Sequence, residues 1–159
     1  MAKISFSEVE QSIKTSGWFH FGNDIFECPG LGKEEIEFYI KNSKLPPPCD
    51  KCYKALIFWE DSYSEENVKK FFDMVDSFEV EYAGKLNEGV VVFYFRDKSR
   101  MLEFIEFLEN KMQEYDVKGK TQWRRACREY QILKPELWKN AKEFLPDALP
   151  KTLTSNGGS

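Results

Sequence analysis

Ala55-Leu56-Ile57-Phe58-Trp59, followed by Ser64-Glu65-Glu66-Asn67-Val68-Lys69-Lys70-Phe71-Phe72-Asp73-Met74-Val75, decides the reading of this chain. The first five residues form an unbroken apolar run, the pattern of a central strand buried on at least one face. Ser64 is a capping residue with acids directly behind it, and Val68, Phe71, Phe72 and Val75 recur at i, i+3, i+4 and i+7, which predicts an amphipathic helix. Phe78 to Ala83 and Val90 to Phe95 read as two further strands, joined through Gly84-Lys85-Leu86-Asn87-Glu88-Gly89. Asp97 or Ser99 opens a long helix whose buried stripe is Leu102, Phe104, Ile105, Leu108 and Met112. After Gly119, Thr121 to Arg128 reads as a closing strand; were it helical, Trp123, Cys127 and Tyr130 would share a face instead.

The resulting order is β-α-β-β-α-β, so the expected fold class is α+β, a ferredoxin-like antiparallel sheet in which the last strand lies beside the first. Upstream, Ser5 or Ser7 caps a short helix to about Lys14. Trp18 to Phe21 and Ile25 to Cys28 read as two short strands around a turn, and Lys33 to about Asn42 as a helix with Ile36, Phe38, Tyr39 and Ile40 as its apolar residues. Pro46-Pro47-Pro48 then forces an extended link. Pro135 opens a C-terminal helix with Leu137, Trp138, Ala141 and Phe144 inward. Three segments follow: residues 1–48 as a helix/hairpin/helix subdomain, 49–146 as the ferredoxin-like domain with its C-terminal helix, and 147–159 as a disordered tail.

Lys54 to Cys127 resembles an RNA recognition motif. Glu65-Glu66-x-Val68-x-x-Phe71-Phe72 is similar to that family's first helix, Asn87 to Asp97 to its third strand, and Val117-Lys118-Gly119-Lys120 to the turn before its fourth strand. The resemblance covers about half the chain and implies a sheet face that binds single-stranded RNA by stacking. Val90 and Val92 stand where that family places its stacking aromatics, and Glu88 where it places a basic residue.

Composition narrows the function classes. The 159 residues are 16% aromatic and 31% charged, with a formal charge of −4, which argues against broad, sequence-independent polyanion binding. No apolar stretch is long enough to span a bilayer and no leader-like segment opens the chain, so a cytoplasmic protein with no membrane partner is expected. In a reducing compartment, four cysteines point to metal binding or free thiols rather than disulfides.

Cys49-Asp50-Lys51-Cys52 has the spacing of a metal half-site. A ferredoxin-like sheet would bring Cys127 beside Cys52, and Cys28 is the remaining thiol, so Cys28, Cys49, Cys52 and Cys127 form the expected structural zinc site, with His20 as the alternative fourth ligand. The same four thiolates would suit an iron–sulfur cluster, and the alternatives are a redox pair at Cys49/Cys52 or buried thiols of no special role. Gln122-Trp123-Arg124-Arg125-Ala126-Cys127-Arg128 is the densest basic and aromatic stretch, and Trp123, Arg124, Arg125 and Arg128 are the candidate nucleic-acid footprint. With a single histidine and no phosphate-cradling glycine loop, no catalytic residue is assigned and a small-molecule substrate is not expected; a small metal- or thiol-dependent enzyme is the remaining alternative. The reading is a metal-stabilised binding module, a protein partner ahead of nucleic acid.

Overall fold

Ser5 and Glu8 cap one another reciprocally, the Ser5 hydroxyl accepting from the Glu8 N–H and the Glu8 carboxylate from the Ser5 N–H, each at 3.2 Å, and this starts α1 (Phe6–Ser16). Gly17, left-handed at φ 86, ends it. The computed structural model describes residues 4–22, 32–47 and 49–135. Within them follow β1 (Phe19–Phe21), α2 (Lys33–Asn42), a 3-10 turn at Cys49–Lys51, β2 (Tyr53–Phe58), a second 3-10 turn at Glu60–Ser62 and α3 (Glu65–Asp76). Then come β3 (Gly84–Leu86), β4 (Val90–Phe95), α4 (Lys98–Tyr115), β5 (Lys120–Arg125) and α5 (Arg128–Leu133).

The protein is α+β, with a five-stranded antiparallel sheet in the order β1-β3-β4-β2-β5. β2 is flanked on both sides, Tyr53 pairing with Phe95 and Arg125, and Phe58 with Val90 and Lys120. Strand alternation then divides the sheet. Phe21, Leu86, Val91, Phe93, Ala55, Ile57 and Trp123 point to one side, where they pack with Val9 of α1, Phe71 and Val75 of α3, and Phe104 and Leu108 of α4 in the main core. Trp59, fully buried, closes one end of this core and donates its Nε1–H to the Asn87 carbonyl at 2.8 Å. A second, smaller core of Tyr39, Leu45, Cys49, Ala126 and Tyr130 forms where β2 begins and β5 ends.

Several sequence expectations shift. The segment Phe78 to Ala83 is not a strand; the strand starts at Gly84. Its alternating Phe78 and Tyr82 turn onto α4 instead, with ring centroids 6.2 Å and 4.6 Å from Phe104. Gly84 allows the close approach that follows, since a Cβ there would lie 2.5 Å from the Phe21 ring. On α4, Met101 takes an inward place and Leu102 faces out, and on α2 only Tyr39 is buried while Phe38 and Ile40 are exposed. The closing strand stops at Arg125, so residues 126–128 are not part of it, and a helix starts at Arg128. β1 pairs with β3, joining the N-terminal segment to the main sheet. The expected strand at Ile25 to Cys28 and the expected C-terminal helix beyond Pro135 lie outside the described residues.

Two contacts make the fold testable. Buried Asn67 donates through Nδ2 to the carbonyls of Ser62 (3.0 Å) and Lys118 (2.9 Å), while its Oδ1 accepts from the Lys118 N–H at 2.9 Å, tying the start of α3 to the α4–β5 turn. Asn67→Ala strands these groups and is expected to cost about 2–4 kcal/mol in chemical denaturation; a loss below about 0.5 kcal/mol would show the bridge to be unimportant. The Tyr63 hydroxyl donates to Glu10 Oε2 at 2.8 Å, and burial, reinforced by that bond, pushes its pKa above the usual tyrosine range. Because the folded value is raised, the contribution is complete below about pH 10 and declines above it. Tyr63→Phe should flatten the fall of unfolding free energy between roughly pH 10 and 12, and identical slopes for the two proteins would refute the coupling.

Candidate functional site

Cys49 opens a 3-10 turn, and the Cys52 N–H donates back to its carbonyl at 3.2 Å, so the C-x-x-C segment is one tight turn leading into β2. The Cys52 carbonyl in turn accepts from the Ala126 N–H at 2.9 Å, which extends the β2–β5 ladder by one rung and sets Cys127 next to the start of β2. Ala126 is fully buried and left-handed at φ 59, a conformation that costs an alanine roughly 1–2 kcal/mol. That turn ends the strand, and Cys127 becomes the N-cap of α5, half-buried against the small core that holds Cys49. Cys49 and Cys52 are both buried.

Two tyrosines complete this corner. The Tyr130 hydroxyl donates to Cys49 Sγ at 3.1 Å, and the Tyr39 hydroxyl donates to the Tyr130 carbonyl at 2.8 Å, with the two rings edge-on 4.8 Å apart. Burial raises the Tyr130 pKa well above the usual range; the bond to Cys49 adds to this, as do nearby Cys127 and Glu35. Soft sulfur donors fit zinc by their chemistry. Among the described residues, however, no three His, Cys, Asp or Glu side chains gather as an ion would require, and Cys28 lies outside those residues. His20 stands on edge strand β1, exposed and paired with Lys85, with β3 and β4 between it and β2. At sheet spacing that is roughly 14 Å, so His20 does not join the cysteine corner.

The basic strip expected along β5 is split by strand alternation. Trp123 belongs to the main core. Arg125 shares its side of the sheet, is buried beside Tyr53 at 5.4 Å from the ring, and donates through Nη2 to the Asp50 carbonyl at 2.8 Å. Arg124 points to the opposite side, away from α1, α3 and α4, and Arg128 is the first residue of α5 rather than a strand residue. Trp123, Arg124 and Arg125 therefore do not make one surface.

A different surface takes their place. On the side opposite α1, α3 and α4 the pairing sets out three rows: Tyr94–Lys54–Arg124, then His20–Lys85–Val92–Leu56–Gln122, then Val90–Phe58–Lys120. Lys85 Nζ lies 4.1 Å from the Trp18 ring and 5.9 Å from the Tyr94 ring, and Lys54 Nζ is 5.9 Å from Tyr94. Leu56 and Val92, on this same face, are buried. The described strands contribute Lys54, Lys85, Lys120 and Arg124 to this face and not one acid, in a chain of net charge −4. Lys54, Lys85 and Lys120 are spread over three strands, so no local cluster marks them in the sequence; the signal is the alternation itself, once the apolar partners Ala55, Ile57 and Phe93 are assigned to the core.

A groove of about 900 Å³ runs between the 80–83 loop and α4, lined among others by Tyr82, Phe95, Arg96, Arg100, Phe104 and Phe107; no cysteine lines it. No described helix is long and apolar enough to cross a membrane. Compared with known proteins, the chain matches no family model, no curated protein and no solved structure.

Proposed function

We propose that this chain is a non-enzymatic binding module of the ferredoxin-like kind, akin to an RNA recognition motif, whose sheet face opposite α1, α3 and α4 holds single-stranded nucleic acid. The fold assignment is supported by the run β2-α3-β3-β4-α4-β5 with strands ordered β5-β2-β4-β3, to which β1 adds a further edge strand. The observation that carries the binding reading is the charge of that face: four basic side chains and no acid on the described strands, interleaved with Trp18, Tyr94 and Phe58. Lysines and an arginine attract phosphates, and aromatic rings offer bases a stacking surface whatever the sequence. The acidic net charge resides elsewhere, so it does not oppose binding here. A protein partner is the second reading. It is favoured by Phe38 and Ile40 on α2, 40% and 50% exposed, and Ile132 and Leu133 on α5, 62% and 43% exposed.

A fluorescent single-stranded oligonucleotide followed by anisotropy decides between them. The nucleic-acid reading predicts log K falling with log salt at a slope of about −2 to −3, from four neutralised phosphates on a single strand. Lys54→Glu with Lys85→Glu should weaken binding at least tenfold, and Trp18→Ala should cost about 1–3 kcal/mol if it stacks on a base. Arg125, already committed to Asp50, is expected to matter for stability instead. No anisotropy change at low salt would leave the protein-partner reading in possession of the site.

Alongside this face we assign Cys28, Cys49, Cys52 and Cys127 to a structural zinc ion that fastens the N-terminal segment and α5 to the start of β2. Support comes from the buried C-x-x-C turn, from the rung that joins Cys52 to Ala126, and from the strained Ala126 turn that directs Cys127 to the same corner. A cytoplasmic, reducing setting accords with such thiols. Elemental analysis should find about one zinc per chain, with the thiols becoming reactive only after chelation; metal-free protein with four reactive thiols would remove the assignment.

A further inference from the structure

His20 is the single histidine of the chain, and it stands exposed in the middle of edge strand β1. Its neighbours Phe19 and Phe21 pair with Leu86 and Gly84 and pack on the core side, so alternation turns His20 onto the basic face, directly opposite Lys85. Among the described residues, no hydrogen bond or ion pair engages its imidazole. The groups that face it are few. From β3 these are the Lys85 ammonium and, on the diagonals, Ala83 and Asn87, which do not titrate; from its own strand it is Trp18. The nearest acids along that stretch of chain, Glu81 and Glu88, lie past those diagonal positions, and neither pairs with His20. Helix α1, which carries Glu8, Glu10 and Lys14, packs through Val9 on the other side of the sheet.

We infer that nucleic-acid binding on this face is coupled to protonation of His20, so that affinity rises as pH falls. Side chains directly opposite on paired strands have Cβ atoms about 4.5–5.5 Å apart, so a phosphate drawn to Lys85 sits beside the imidazole. An opposite charge at such a distance favours the protonated ring, and histidine is the side chain whose charge ordinarily changes between about pH 5 and 8. The complex takes up one proton from solvent, held on the ring nitrogen that is bare in the neutral imidazole, while the phosphodiester stays anionic throughout. The inference rests on the nucleic-acid reading above and adds the regulation of that same face.

Anisotropy of a short all-thymine single strand, whose bases stay neutral across this range, tests the inference with the full chain. Between roughly pH 7.5 and 5.5, wild type should gain about threefold to tenfold in affinity at fixed low salt, and the slope of log K against log salt should steepen by about 0.7. His20→Gln should keep the weaker affinity at both pH values, and His20→Lys, charged throughout, the tighter one. Without any variant, binding enthalpies of wild type in buffers of different ionisation enthalpy should report proton uptake at about pH 6.5. Equal wild-type affinity at the two pH values, or an undiminished pH response in a His20→Gln protein with native circular dichroism, would overturn the inference and leave the nucleic-acid reading intact. No binding at either pH in low salt would overturn both.

Discussion

The position of β2 between β4 and β5 is the constraint on which the rest of this structure depends. Its six residues form ladders on both sides, so its alternation is imposed on both neighbours at once. Ala55 and Ile57 fix the core side, and with them Phe93, Val91 and Trp123. Lys54, Leu56 and Phe58 are left on the other side, in rows with Tyr94, Arg124, Val92, Gln122, Val90 and Lys120. A slip of one residue would exchange the two sets, burying Lys54 and exposing Ile57. The apolar content of the core side therefore also specifies where the basic face lies.

The same ladders place Cys52 and Cys127. The rung from Ala126 to Cys52 continues the β2–β5 pairing beyond the last strand residue, and the left-handed Ala126 then turns the chain out of the sheet. Fold and corner are thus linked by main-chain bonds. Among the described residues, the small core around Tyr39 and Tyr130 adds packing there through Leu45, Cys49 and Ala126.

Much of the fold was legible because local signals agreed with the global arrangement. The caps at Ser5, Ser64 and Asp97 start the helices they were expected to start, and the i, i+3, i+4, i+7 set of α3 is buried as its spacing requires. The misreadings have a common cause. Phe78, Val80 and Tyr82 alternate as strand residues do, but rings of that size are also taken up by a neighbouring helix, and the contacts with Phe104 prevail. Trp123 and Arg125 look like a surface strip only while the side of the sheet covered by helices is unknown. Lys54, Lys85 and Lys120 lie far apart in the chain, and only strand pairing brings them together. Likewise the helix at Arg128 follows from a positive φ at an alanine, which no propensity would suggest.

The charge asymmetry of the sheet is the central claim, and amide chemical-shift mapping with a short single-stranded oligonucleotide tests it most directly. Shifts concentrated at Lys54, Lys85, Tyr94 and Arg124, and diminishing as salt is added, are the predicted result. Shifts confined to α3 and α4, or none at low salt, would contradict it.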